Sequence, residues 1–225
     1  DAADVLVVNT CAFIGPATEE SIDTILERAR VKSERAGRRL IVTGCLAQRY
    51  ADELRAEMPE VDVFVGTGDL LRIADAVDAP STDGTVVYRG AQHVLPRHDL
   101  APRARVGAWW TSYLKISEGC DHTCSFCIIP KIRGRHESRP MDDLLGEAAD
   151  LVAAGTLELN LIAQDSTAYG RDRRDGSSLA VLLRALAVRV PEARWLRLMY
   201  AYPASVTDDL LEVMATEPTV CPYLD

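Results

Sequence analysis

The chain has 225 residues, of which 48% are hydrophobic, 26% charged and 6% aromatic, and its formal net charge is −9 at pH 7. This is a globular composition, and it excludes collagen-like, coiled-coil and disordered chains. The acidic balance argues against direct nucleic-acid binding, which depends on clustered Lys and Arg. There is no run of about 20 apolar residues to span a membrane and no N-terminal signal segment. We therefore expect a cytoplasmic protein.

At roughly 150 residues per domain, the length predicts one large or two modest domains. The chain begins at Asp1 without an initiator Met, enters an apolar segment at Val5, and ends near Tyr223 where another strand is expected to begin. We therefore expect a piece of a longer polypeptide, truncated at both ends.

Residues 1–78 alternate apolar runs with amphipathic helical patterns. Strands are predicted at residues 5–8, 40–42 and 61–65, and helices at residues 18–36, 48–57 and 70–77. Parallel neighbours need a crossover helix, so this alternation predicts a small, open α/β domain with a parallel sheet. Residues 79–108 are punctuated by Pro80, Pro96 and Pro102. They are predicted to be a linker with one short strand at residues 85–88.

The βα pattern resumes in residues 109–225. Strands are predicted at residues 113–116, 157–162 and 196–200, and helices at residues 141–154, 178–190 and 206–215. Consecutive βα units predict a barrel or half-barrel. At roughly 30 residues per unit, this part of the chain holds about four units.

Three of the six cysteines are clustered as Cys120-x3-Cys124-x2-Cys127, directly after the first strand of the second domain. In a chain without a secretion signal such cysteines indicate ligands or catalytic groups rather than disulfides. Soft thiolates select iron–sulfur clusters or zinc. Three ligands leave one iron of a four-iron four-sulfur cluster open to another molecule. In a βα barrel this loop lies at the carboxyl ends of the strands, where such folds place their active sites.

The alternative is a structural zinc site with three cysteines and either His122 or His136. Such sites usually have two C-x2-C pairs, and only the pair Cys124 and Cys127 is present here. The spacing therefore favours the cluster.

The motif and its surroundings resemble a known family. An aromatic residue, Phe126, before the last of three cysteines spaced in this way is typical of radical S-adenosylmethionine enzymes. The flanking segments at residues 113–119, 128–130, 133–135 and 138–140 resemble the methylthiotransferase branch, as do the segments around Cys11 and Cys45. Residues 161–170 and 200–203 resemble the members that modify a ribosomal protein. The members that modify transfer RNA typically have Gly-Gln-Asn where this chain has Ala163-Gln164-Asp165, and a transfer-RNA methylthiotransferase is the alternative.

The resemblance implies an enzyme whose second domain is a radical S-adenosylmethionine barrel. A four-iron four-sulfur cluster on Cys120, Cys124 and Cys127 would bind S-adenosylmethionine and generate a 5′-deoxyadenosyl radical. The reaction would be methylthiolation of the β-carbon of an aspartate in a small-subunit ribosomal protein. The replacement of hydrogen on such an unactivated carbon needs a cofactor that supplies a radical. A basic ribosomal protein would suit an acidic partner. A non-catalytic zinc or iron–sulfur binding module is the alternative of another class.

Cys11 and Cys45 each follow a predicted strand, so they are expected at the carboxyl edge of one parallel sheet. In the resembled family, three cysteines of this domain hold an auxiliary four-iron four-sulfur cluster. Two are present here, and the third is expected upstream of Cys11. On their own, both would equally suit small buried residues at strand ends.

Other candidate residues concern the cofactor. Gln164, Asp165 and Tyr200 end barrel strands and are predicted to face the reaction chamber. Phe126 and Ile128 would pack on the adenine or be ordinary core residues.

A basic run contains Lys131, Arg133, Arg135 and Arg139. Such a run usually forms a solvent-exposed face of the protein, but guanidinium groups are also suited to binding carboxylates. We expect at least one of these arginines to contact the carboxylate of the cofactor or of a substrate aspartate, and Arg139 is the cofactor candidate. His93, His98, His122 and His136 are expected to face solvent, and Cys221 to be a core cysteine at a strand edge.

Overall fold

A computed structural model describes residues 3–78, 84–90 and 107–225. These residues fall into two compact units: residues 3–78, 84–90 and 122–134 form the first, and residues 107–121 and 135–225 form the second. The domain boundaries expected from the sequence, at residues 78 and 108, stay a prediction. Most of the expected linker, including His93 and His98, lies outside the described residues.

The first unit contains a four-stranded parallel sheet. Its strands are β1 (Val5–Thr10), β2 (Arg39–Gly44), β3 (Val63–Val65) and β4 (Val86–Tyr88), in the spatial order β1-β2-β3-β4. Its helices are α1 (Gly15–Ser33), α2 (Cys45–Glu57), α3 (Ile73–Asp78) and α4 (Ile129–Arg133), and a 3-10 helix spans Thr67–Arg72. The open parallel α/β sheet is the architecture that the apolar pattern predicts.

Both faces of this sheet are covered, and β2 shows why. Successive side chains of a strand point to opposite faces. Leu40 and Val42 pack with Ile25 of α1 and Leu46 of α2, whereas Ile41 packs on the other face, in the cluster that includes Ala76 of α3. The whole of β2 is buried. A continuous apolar strand is what a sheet covered on both faces requires.

The short strand expected near residues 85–88 is part of this sheet. β4 pairs with β3 in parallel register, with Val63 opposite Val86 and Val65 opposite Tyr88. The sequence alone left this strand in the boundary segment, because three residues give no periodicity that connects them to either domain.

The second unit contains a three-stranded parallel sheet in the order β5-β8-β9, where β5 is Thr111–Lys115, β8 is Glu158–Ile162 and β9 is Trp195–Leu198. Helices α5 (Met141–Ala153), α6 (Leu179–Arg189) and α7 (Asp208–Thr216) follow β5, β8 and β9 in turn. A small antiparallel pair of strands, β6 (Ser117–Glu118) and β7 (Glu137–Ser138), lies between β5 and α5. The sequence pattern does not predict this pair of strands.

The expected helices and strands of this unit are confirmed with small shifts at their ends. The hydroxyl of Ser178 accepts a hydrogen bond from the amide of Val181 at 3.2 Å at the start of α6, and Thr207 caps α7 on Leu210 at 3.3 Å. These side chains satisfy amides that the first helical turn leaves unbonded. Leucines of β5, β8, β9 and α6 form the core.

The described residues hold three βα units rather than about four. The βα unit formed by β5 and α5 is longer than average, because the cysteine segment, α4 and the β6–β7 pair all lie between these two elements. At the end of the sequence, Val220 makes one isolated parallel bridge with Leu196, and no strand begins at Tyr223 in the described chain. Among the described helices, none combines the length and the hydropathy that crossing a membrane requires.

Candidate active site

The three cysteines of the Cys120-x3-Cys124-x2-Cys127 motif follow β6, just after β5. Cys120 is buried, Cys127 is half-buried and Cys124 is exposed, and all are free thiols. The amide of Cys127 donates to the carbonyl of Cys124 at 3.0 Å, which closes a tight turn before α4 begins at Ile129. Cys120 belongs to the second unit, and Cys124 and Cys127 belong to the first.

Among the described residues, no three His, Cys, Asp or Glu side chains are grouped so that they hold a single metal ion. The donor set itself suits an iron–sulfur cluster, because it consists of three free thiols within eight residues. Phe126 is the most exposed aromatic side chain among the described residues, at 83% of its full exposure, and Ile128 is half-buried. Their roles as cofactor contacts stay predictions.

In the second unit, the loops that follow β8 and β9 are bonded to one another. The amide of Ser166 donates to the carbonyl of Tyr200 at 3.0 Å, and the Ser166 hydroxyl donates to the carbonyl of Met199 at 2.6 Å. Gln164 and Asp165 come just before Ser166. The fold therefore brings three of the predicted site residues, Gln164, Asp165 and Tyr200, to one edge of the sheet.

Gln164 carries a buried acceptor with no partner. Its side-chain oxygen, Oε1, is buried and forms no hydrogen bond. A buried polar atom without a partner costs about 1–3 kcal/mol. An amide oxygen at the carboxyl end of a barrel strand suits a cationic ligand group, such as the methionyl ammonium of S-adenosylmethionine.

Asp165 has a local structural role. Its carboxylate accepts a hydrogen bond from the amide of Thr167 at 3.0 Å and a second, short one from the Thr167 hydroxyl. It thereby caps the short 3-10 helix Ser166–Ala168. Tyr200 instead shows backbone strain, because its φ of 62° lies in the left-handed region. In the described chain it is the one residue other than glycine with positive φ, and such strain is concentrated at functional sites.

Arg139 is buried in an internal ion-pair network. Its guanidinium donates to Asp143 at 2.6 and 2.9 Å, lies 2.7 Å from Glu147, and donates to the carbonyl of Lys115 at 2.8 Å. These carboxylates belong to the protein itself, so the expectation that an arginine of the basic run contacts a carboxylate of the cofactor or of the substrate stays a prediction. The role of Arg139 as a cofactor contact stays a prediction.

The other arginines of the basic run differ in environment. Arg135 is exposed and pairs with Asp121 at 3.2 Å. The hydrogen bond from Arg135 is the main cause of the lowered pKa of Asp121. Arg133 is half-buried and donates towards the sulfur of Cys45.

The expectation that His136 faces solvent is wrong. Its ring is buried, with Nε2 3.1 Å from the Ser138 hydroxyl and 3.7 Å from Asp172, and its Nδ1 has no hydrogen-bond partner. Side chains alternate along extended backbone, so His136 and Ser138 face the same side at β7. No periodic pattern in the sequence predicts the β6–β7 pair next to which His136 lies. Cys221 is buried as expected, and burial is the main cause of its raised pKa.

Cys11 and Cys45 lie side by side in the first unit. β1 and β2 are parallel, with Thr10 opposite Gly44, so the two cysteines follow directly paired positions. Gly44 has a φ of 101°, and a Cβ there would lie 2.5 Å from the carbonyl oxygen of Thr10. Only glycine allows this close approach. Two thiols at one sheet edge suit a shared cluster, and their role as its ligands stays a prediction.

The sequence is similar to those of several known proteins. The chain is 50% identical to the ribosomal protein uS12 methylthiotransferase RimO of Citrifermentans bemidjiense, over 99% of this chain and 50% of that protein. It is 49% identical to the RimO of Geobacter sulfurreducens, over 99% of this chain and 50% of that protein. It is 51% identical to the RimO of Myxococcus xanthus, over 99% of this chain and 46% of that protein. The chain belongs to this methylthiotransferase family.

The chain spans about half the length of the curated relatives it matches. Uncharacterized protein family UPF0004 matches residues 1–66 of the chain. The solved structure of the radical S-adenosylmethionine methyltransferase TsrM from Kitasatospora setae, with tryptophan and a cofactor analogue bound, is similar with a TM-score of 0.63. It covers 98% of this chain and 47% of TsrM at 17% identity, so it shows a likeness of fold alone.

Proposed function

We propose that the complete protein is a radical S-adenosylmethionine enzyme that replaces a β-hydrogen of an aspartate in the small-subunit ribosomal protein uS12 by a methylthio group. One observation carries the proposal. The Cys120-x3-Cys124-x2-Cys127 motif follows β5, in a chain about half identical along its length to uS12 methylthiotransferases. Since the substrate is part of the ribosome, we place the reaction in the cytoplasm.

Cys120, Cys124 and Cys127 hold a four-iron four-sulfur cluster in this proposal. When bound, that cluster supplies the electron that cleaves S-adenosylmethionine and so provides a carbon radical able to remove hydrogen from an unactivated carbon. The tight turn between Cys124 and Cys127 brings these two residues close along the chain before α4 begins.

The edge formed by the ends of β8 and β9 orients the cofactor. The unpartnered oxygen of Gln164 accepts a hydrogen bond from the methionyl ammonium, which would satisfy an otherwise costly buried acceptor. Asp165 keeps the following turn in place through Thr167. The strained Tyr200 presents its exposed ring at the same edge. Phe126 and Ile128 offer apolar surface for the adenine, and Arg139 is the candidate for the methionyl carboxylate.

Cys11 and Cys45 would supply two of the three cysteine ligands of the auxiliary four-iron four-sulfur cluster, which would provide the sulfur for insertion. The thiol of Cys11 is exposed, and the Ser21 hydroxyl accepts a hydrogen bond from the Cys11 amide at 3.1 Å. This bond joins α1 to the end of β1 and fixes the backbone of Cys11.

Anaerobic reconstitution of the complete protein with iron and sulfide tests the proposal. With a strong reductant and S-adenosylmethionine, we expect 5′-deoxyadenosine, together with a methylthio mass increase on an aspartate of uS12. Cys124→Ala should abolish both products. Cys221→Ala is the matched control, because Cys221 is a buried cysteine far from the motif in sequence, and it should keep both.

The competing functions give different results in the same experiment. A transfer-RNA methylthiotransferase would form 5′-deoxyadenosine but place the methylthio group on transfer RNA. A zinc or iron–sulfur binding module would form no 5′-deoxyadenosine at all. Either result would contradict the proposed function.

A further inference from the structure

The short helix α4 (Ile129–Arg133), two residues after Cys127, is bound to the N-terminal sheet within the first unit. The Thr67 hydroxyl donates to the carbonyl of Ile132 at 3.3 Å. The oxygen Oε1 of Gln48, on α2, accepts from the amide of Gly68 at 3.2 Å. The first bond holds the C-terminal end of α4 against the segment that follows β3, and the second joins that segment to α2.

The next residue, Arg133, extends to Cys45. A terminal nitrogen of its guanidinium, Nη2, lies 3.5 Å from the sulfur of Cys45, within the range for a hydrogen bond to sulfur. Arg133 is half-buried, unlike Arg135, which is exposed and pairs with Asp121. A cation that is partly removed from water is screened less than one on the surface.

Cys45 is the first residue of α2, which is interrupted at Tyr50, where φ is −129° and ψ is 25°. The positive charge near the Cys45 sulfur is therefore that of a guanidinium, which comes from 88 positions further along the chain. This cation favours negative charge on the sulfur.

We propose that Arg133 is a positioning residue of the auxiliary cluster, where its hydrogen bond to the Cys45 thiolate raises the reduction potential of that cluster. This inference rests on the proposed ligand role of Cys11 and Cys45. Hydrogen bonds to cysteine sulfur and nearby net charge are two factors that set cluster potentials. Reduction adds one electron to the cluster, and a nearby cation stabilises the more negative, reduced form. The segment that carries Cys124 and Cys127, two proposed ligands of the S-adenosylmethionine-binding cluster, thus also carries the arginine that adjusts the potential of the auxiliary cluster.

The test uses the complete protein in a background where Cys120, Cys124 and Cys127 are changed to Ala, so that the auxiliary cluster is the one under study. After anaerobic reconstitution, the cluster is titrated with dithionite in the presence of redox mediators and followed by electron paramagnetic resonance. In Arg133→Gln, we expect the midpoint potential to shift to a more negative value. In Arg133→Lys, which keeps the charge but not the guanidinium geometry, we expect a smaller shift in the same direction.

Arg55→Gln is the matched control. Arg55 is exposed in the last turn of α2, ten residues after Cys45 and beyond the interruption at Tyr50. Its substitution removes the same charge at a distance where salt screens it. The midpoint potential of this variant should equal that of the background protein.

Each outcome decides the inference. Fully loaded Arg133→Gln with an unchanged midpoint potential would overturn it and leave the proposed function intact. Loss of the cluster in both Arg133 variants, with retention in Arg55→Gln, would also overturn it, because Arg133 would then serve assembly rather than potential. If Arg133→Gln alone loses the cluster, the midpoint potential of Arg133→Lys decides: a shift to a more negative value supports the inference, and an unchanged value overturns it. Failure of the background protein to form any cluster would overturn the proposed role of Cys11 and Cys45 as well.

Discussion

Ser138 uses both of its hydrogen-bond donors on the carboxylate of Asp172. The hydroxyl donates to Oδ1 at 2.6 Å and the amide donates to Oδ2 at 2.9 Å. Ser138 ends β7, and Asp172 lies between β8 and α6, as does Gln164. The pair therefore joins the segment after the cysteines to the loop that follows β8. The Ser138 hydroxyl also accepts from the amide of Gly170 at 2.9 Å.

Substitution of Ser138 by Ala should destabilise the protein and change its response to acid. Burial raises the pKa of Asp172, but the hydrogen bonds from Ser138, together with a further backbone hydrogen bond and the nearby His136, hold this pKa below its ordinary value. A carboxylate with a lowered pKa stabilises the fold above its unfolded-state pKa of about 3.9, and this contribution is lost as the pH falls through the folded-state pKa. We expect a loss of about 1–3 kcal/mol at pH 7.

Urea unfolding of Ser138→Ala at a series of pH values measures this effect. The difference from the original protein should shrink as Asp172 becomes protonated. Thr216→Ala, which removes an exposed hydroxyl bonded within α7, should change the free energy of unfolding by less than about 0.5 kcal/mol. A pH-independent loss in Ser138→Ala would contradict the explanation.

Substitution of Arg139 by Met should be among the most destabilising changes in the second unit. Arg139 is buried, and its removal deprives the buried carboxylates of Asp143 and Glu147 of this cation. Breaking a buried ion pair in this way costs about 3–5 kcal/mol. Arg184→Met is the control, because Arg184 is exposed and its pairs with glutamates are 3.6 and 3.7 Å long. The control should lose no more than about 1 kcal/mol in denaturant unfolding.

The buried phenol of Tyr169 predicts a change in stability at alkaline pH. Burial is the main cause that raises the pKa of Tyr169 to about 12, and its hydroxyl donates to the carbonyl of Arg139 at 3.0 Å. A raised pKa stabilises the fold below the unfolded-state value of about 10, and this contribution is lost as the pH rises towards 12. Tyr169→Phe should lack this alkaline component, and the exposed Tyr223→Phe should retain it. Unfolding monitored across this pH range would test the prediction, and an unaltered profile in Tyr169→Phe would refute it.

Gln164→Leu should separate ligand binding from stability. The substitution removes a buried oxygen without a partner, so the free energy of unfolding of the cluster-free protein should stay the same or rise. Binding of S-adenosylmethionine to the reconstituted complete protein should weaken at least about tenfold, since a hydrogen bond to a charged group contributes about 1.5–3 kcal/mol. Equilibrium dialysis measures the dissociation constant, with the exposed Glu192→Gln as control. Equal affinity in Gln164→Leu would remove Gln164 from the proposed site.

Most of the architecture and the cysteine motif can be predicted from local patterns of amino acids. Apolar periodicity located β1, β2, α5 and α6 because it depends on residues within one or two turns or strand steps of each other. The cysteine spacing of residues 120–127 likewise lies within a single loop. The likeness of fold to radical S-adenosylmethionine enzymes and the family membership agree with what these local patterns predicted.

Pairings between distant residues depend on the folded chain. Folding joins β4 to the first sheet, buries His136 beside Asp172, engages Arg139 in an ion-pair network, and leaves an acceptor of Gln164 without a partner. It also brings Arg133 to Cys45 from 88 positions away. A charged or polar residue satisfies its hydrogen bonds with whatever the fold brings near it, and a single sequence has no periodic signal for such a partner.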